Sequence, residues 1–135
     1  GLGGILARLN VSNVALRHRP KRDNGTLSSA SRGCCYDGYV LGASDLPDGS
    51  IDLVSVDGRA RELCLGEAVR LVRPAGGVLV LDNSNRERYR EAIEELVPGA
   101  WLRHDASVRG NLTKEQRHWI ERDDLYTTFW ISREE

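Results

Sequence analysis

Apolar residues are grouped most tightly in the middle of the chain. Residues 51–56, IDLVSV, form a short run of aliphatic and β-branched residues, and residues 78–81, VLVL, are apolar without alternation. Runs of this kind suit strands buried on both faces. Between them Leu65, Ala68, Val69 and Val72 recur at helical spacing. Arg70 and Arg73 lie at the negative end of that helix's dipole, and Pro74, Gly76 and Gly77 stop it. A strand, a covering helix and a second strand within about thirty residues make a βαβ unit with a right-handed crossover. The two strands are therefore expected to be parallel.

Beyond residue 83 the period is helical again, with Tyr89, Ala92, Ile93, Leu96 and Val97 on one stripe. Ser84 and Glu87 have the spacing of a capping box, which predicts that Ser84 caps this helix, and Pro98 with Gly99 ends it. Residues 101–107 and 125–132 (LYTTFWIS) are predicted strands, the second strongly β-prone. Thr113 with Gln116 caps a short predicted helix running towards Arg122. The first fifty residues carry weaker signals. Ile5, Leu6 and Leu9 mark the end of a helix, residues 13–18 a short strand, and residues 36–46 a short helix before the turn Pro47-Asp48-Gly49. Residues 19–37 are polar, rich in small residues and without period, which predicts a mobile loop. Gly1, Gly3 and Gly4 lack the strand and spacing of a phosphate-binding loop.

Chemistry enters at the strand ends. Asp57 follows the first central strand, and Asp82 with Asn83 closes the second. Parallel neighbours bring these three residues to one carboxyl edge, where open α/β sheets bind ligands. Two carboxylates and an amide oxygen form an all-oxygen set suited to Mg2+ or Ca2+. Asp and Asn also occur after strands simply because they make turns and cap helices.

VDGRAR followed by RPAGGVLVLDNSNRERY resembles the fourth and fifth strands of the class I S-adenosylmethionine-dependent methyltransferase fold, over residues 13–132. The spacing of Asp57 from Asp82 and Asn83 is similar to that of the metal-dependent catechol O-methyltransferase group. The resemblance implies that these three residues hold a metal that clamps the acceptor's adjacent hydroxyls. It also implies that residues 13–18 are the third strand and that residues 125–132 close the sheet as an antiparallel strand. Where that group has a catalytic lysine this chain has Ala60, flanked by Arg59 and Arg61, and arginine is a poor proton acceptor. The turn reads Pro-Ala-Gly-Gly, one residue longer than the usual form.

Composition narrows the remaining classes. The chain has 135 residues and a net charge of −1, enough for one domain with a sizeable core and no mark of a dedicated nucleic-acid binder. No apolar run approaches the roughly 20 residues of a membrane span, and no signal-peptide pattern opens the chain, so the expected location is cytoplasmic. Cys34, Cys35 and Cys64 are odd in number and two are adjacent, which predicts free thiols. His18, His104 and His118 have no zinc-site spacing to them. Sequons at Asn10, Asn24 and Asn111 match a loose pattern. Arg17, Arg19, Lys21 and Arg22 form a basic cluster able to attract a phosphate or an acidic partner.

These observations predict an α/β chain with a three-layer, Rossmann-like methyltransferase fold that lacks the N-terminal cofactor-binding strands and their glycine-rich loop. The function implied is transfer of a methyl group from S-adenosylmethionine to an oxygen or nitrogen of a small-molecule acceptor in the complete parent protein. Asp57 would assist loss of the acceptor's proton. The alternative is a non-catalytic α/β module that binds a partner or an anionic small molecule. A glycosyltransferase-like domain would need an Asp-x-Asp cluster, which is missing. With the first and second strands of the family unrepresented, either residues 13–18 pair with residues 51–56 or the chain self-associates along that open edge.

Overall fold

The structure, a computed structural model, describes residues 2–21, 24–28, 34–107 and 126–134. The central pattern folds as its periodicity dictates. Strand β1 (Leu53–Val56), helix α3 (Arg61–Leu71) and strand β2 (Val78–Asp82) form the βαβ unit, and β1 and β2 pair in parallel with Val54 opposite Leu79 and Val56 opposite Leu81. Helix α4 (Glu87–Leu96) leads to strand β3 (Leu102–Ser107), and strand β4 (Tyr126–Ile131) is antiparallel to both β2 and β3. The sheet order is β1-β2-β4-β3, a mixed four-stranded sheet. In the N-terminal region, α1 spans Leu2–Arg8 and α2 spans Asp37–Val40.

Strand alternation gives the sheet two unlike faces. Val56, Leu79, Leu81, Thr128 and Trp130 point to one side and are buried. There Leu65, Ala68 and Val72 of the α3 region and Tyr89, Ile93 and Val97 of the α4 region join them in one core. Leu65, Leu79 and Leu81 are fully buried, and each contributes about 1.5–3 kcal/mol of transfer free energy. On the other side Leu53 is exposed, and Val78, Val80, Phe129 and Ile131 are half-buried. A helical layer on that second face is not seen among the described residues. A smaller cluster of Tyr36, Val40 and Ala60, with Leu27 and Leu63 against it, joins α2 to the start of α3.

Two backbone details lock the unit. Ile51 bridges Val72 beside the start of β1, so the predicted strand begins as an isolated bridge. The turn before β2 is fastened to the end of β4: the Gly77 N–H donates to Ser132 Oγ at 2.8 Å, and the Ser132 hydroxyl donates to the Arg73 carbonyl at 2.6 Å. A Cβ on Gly77 would lie 2.4 Å from that same carbonyl, so the close approach requires glycine.

Three local expectations are corrected. Residues 13–18 form no strand and are exposed, because their apolar positions Val14 and Leu16 alternate without a partner face to bury them. They do not pair with β1, whose outer edge is open beyond Ile51 among the described residues. Ser84 does not cap α4: the helix starts at Glu87 with Arg86 before it and no side-chain cap. Instead Ser84 Oγ lies 2.6 Å from Thr128 Oγ1 in the buried seam between β2 and β4. The described part of residues 19–37 carries a bridge between Ser28 and Cys35 and the Asp37 contacts with Thr26. The helix predicted from Thr113 towards Arg122 lies outside the described residues.

Candidate functional site

The carboxyl ends of β1 and β2 do bring Asp57, Asp82 and Asn83 together, and the group that gathers them is Arg61. Asp57 leaves β1 into the turn 57–60, and α3 begins at Arg61 itself, which places that side chain over the strand ends. Its Nη2 donates to Asp57 Oδ1 at 2.8 Å. Its Nη1 donates to the Asp82 main-chain carbonyl at 2.5 Å, to Asn83 Oδ1 at 2.9 Å and to Asp82 Oδ2 at 3.1 Å. Its Nε donates to the Gly58 carbonyl at 3.1 Å. Thr127 of β4 donates its hydroxyl to Asp82 Oδ1 at 3.1 Å, completing that carboxylate.

Burial is graded across the cluster. The Arg61 side chain is 11% exposed, Asp82 is 32% exposed and Asp57 is 64% exposed. The cation is thus nearly enclosed, and Asp57 is its rim. Charge-assisted bonds of this type contribute about 1.5–3 kcal/mol each where they are shielded, and less at the exposed Asp57 end. Two residues of the cluster's backbone are left-handed: Ala60 at φ 50° and Asn83 at φ 53°. Asparagine accepts that conformation readily, whereas alanine there costs about 1–2 kcal/mol, held by the packing of Ala60 against Tyr36 and Val40.

The metal implied by the sequence does not fit this arrangement. A divalent ion bonded to the same oxygens would stand a few ångströms from the guanidinium, where the two charges repel by roughly 8 kcal/mol at 4 Å and an effective dielectric of 20. Arginine cannot relieve this by losing its proton. No cluster of three or more His, Cys, Asp or Glu able to hold a metal occurs among the described residues. Gly58, which follows β1, packs under Tyr39: a Cβ there would lie 2.2 Å from the tyrosine hydroxyl.

A separate cavity of about 300 Å3 lies beside the open edge of β1. Val54, Val56, Ala68 and Leu71 line it, together with Arg17, Arg19, Tyr39 and Cys64. Arg17 pairs with Asp45 at 2.6 Å, whereas Arg19 makes no ion pair among the described residues. Burial raises the Cys64 thiol to about 11, with the Glu62 charge adding to it, so this cysteine is a poor nucleophile near neutrality. Burial also raises the Tyr39 hydroxyl, with Cys64 contributing. All three cysteines are free, as expected.

Sequence reasoning weighed Arg61 only as a proton acceptor and so missed it as a donor. The available signal was its position four residues after Asp57 at the start of a helix, a spacing that pairs charges. No family model, curated protein or solved structure matches the chain. No helix among the described residues is long and apolar enough to cross a membrane.

Proposed function

We propose that the chain is a methyltransferase-like α/β domain whose complete parent protein moves a methyl group from S-adenosylmethionine to an oxygen or nitrogen acceptor. The observation that carries this reading is the parallel β1-α3-β2 unit with antiparallel β4 beside it, which sets Asp57 and the Asp82-Asn83 pair at one edge. The cofactor supplies a methyl group on a positively charged sulfur. This chain's residues supply positioning and proton acceptance. One oxygen of Asp57 is held by Arg61, and the other belongs to a mostly exposed side chain able to take the proton of an acceptor hydroxyl or amine.

The family's glycine-rich loop has no counterpart in this sequence, so the chain alone is expected to show no micromolar affinity for S-adenosylmethionine in calorimetric titration. The complete parent protein is expected to bind it. There, Asp57→Asn should lower methyl transfer by about 10²–10⁴-fold while leaving cofactor affinity unchanged. A parent protein without cofactor affinity would overturn the reading.

The cavity beside β1 favours a second reading, a module that binds an anionic small molecule with an apolar body. Apolar side chains of Val54, Val56, Ala68 and Leu71 line it together with Arg19. Binding of aromatic or alkyl carboxylates that is weakened by Arg19→Ala would support this function in place of catalysis.

A further inference from the structure

We infer that Arg61 is the permanent cation of the strand-end cluster, standing where its oxygens would otherwise gather a divalent metal, so that this edge works without one. The inference does not rest on the methyltransferase reading and holds equally for a binding module. Its basis is the completeness of the contacts. Asp57 Oδ1, Asp82 Oδ2, the Asp82 carbonyl and Asn83 Oδ1 all accept from one guanidinium between 2.5 and 3.1 Å. They come from two adjacent strand ends and meet at a point, which is how a cation site is built from hard oxygens. The occupant is part of the chain, pinned at its third nitrogen by the Gly58 carbonyl. An arginine keeps its charge at any accessible pH, so the cage holds a cation for as long as its carboxylates are ionised.

Removing that side chain should uncover the oxygens. Three of the four belong to the consecutive residues Asp82 and Asn83, and the Thr127 hydroxyl still orients Asp82. Arg61→Ala therefore converts the cluster into a weak Mn2+, Mg2+ or Ca2+ site completed by water. Arg61→Lys, which leaves a positive charge in the cage, does not.

The test uses Mn2+ as the probe, with paramagnetic broadening of backbone amide signals as the readout. In the native chain the amides of Asp57, Asp82 and Asn83 should broaden no more than those around exposed carboxylates elsewhere. In Arg61→Ala these three should broaden selectively, with affinity raised by about tenfold or more, and Arg61→Ala/Asp82→Asn should lose the effect. The amide spectrum reports in the same experiment whether each variant is folded. Selective broadening in the native chain would overturn the inference, and so would a folded Arg61→Ala without it. Should Arg61→Ala unfold, the native measurement decides alone, supported by recovery of thermal stability of that variant in Mn2+.

Discussion

The two halves of the molecule are held together by different physics. From residue 50 onward β1, β2, β4, α3 and α4 bury a largely aliphatic set of side chains, and the fold closes around Leu65, Leu79 and Leu81. Before residue 50 apolar burial is confined to the small cluster around Cys35, Tyr36 and Val40, while Ile5, Leu9, Val14 and Leu16 are exposed. Beyond that cluster the region is fastened by polar clamps. Arg70 of α3 donates to the carbonyls of Leu46 and Ala43 and pairs with Asp48, while Arg17 pairs with Asp45. Asp37 takes the backbone N–H and the hydroxyl of Thr26. Apolar burial is additive over a large area and yields a cooperative unit, whereas exposed ionic clamps are individually weak and screened by salt. The first fifty residues are accordingly expected to open locally without unfolding the sheet.

The largest effect should come from the core. Leu79→Ala and Leu65→Ala remove fully buried side chains and are expected to cost about 2–5 kcal/mol each, read as a lower midpoint in denaturant. Leu9→Ala, at a residue 68% exposed, should change stability by less than about 0.5 kcal/mol. Comparable losses at Leu9 and Leu79 would mean that α1 belongs to the core, and the contrast would fail.

Cutting a clamp should act on a smaller scale and only nearby. Arg70→Ala removes the donor for two carbonyls and the partner of Asp48 and Glu67, with an expected cost of about 1–2 kcal/mol. Amide exchange should quicken in residues 43–49 and stay slow in β2. Equal quickening in both would show the two regions to be one cooperative unit.

The smallest effect is a titration. Hydrogen bonds from the Thr26 backbone and side chain lower Asp37 from 3.8 to about 2. A carboxylate depressed in the fold favours the folded state above its unfolded value, and this contribution is lost as pH falls from about 4 towards 2. The Thr26 amide signal should therefore shift over that window. In Asp37→Asn the shift should vanish, and a midpoint near 4 in the native chain would argue against the contact.

The same contrast explains what was legible in the sequence. The βαβ unit, helix α4 and strand β4 could be read because burial imposes a period and turn residues mark their ends, whereas β3, exposed throughout, carries no such period. The strand expected at residues 13–18 could not be judged that way: NVALRH is β-prone, but a strand needs a neighbour, which local propensity does not reveal. Ser84 misled because a capping-box spacing is silent about a neighbouring strand, and Thr128 claimed its hydroxyl. At the site, Asp57, Asp82 and Asn83 were legible from topology alone. Arg61 was not, because residue types suited to a metal are equally suited to a guanidinium, and only the start of α3 over the strand ends decides between them.

The central claim is that these oxygens close around Arg61, and the side-chain nitrogen spectrum of that arginine tests it most directly. The account predicts an Arg61 Nε–H signal that exchanges slowly, moves in Asp57→Asn and Asp82→Asn, and does not respond to millimolar Mg2+. A fast-exchanging Arg61 signal indifferent to both substitutions, or one displaced by Mg2+, would contradict it.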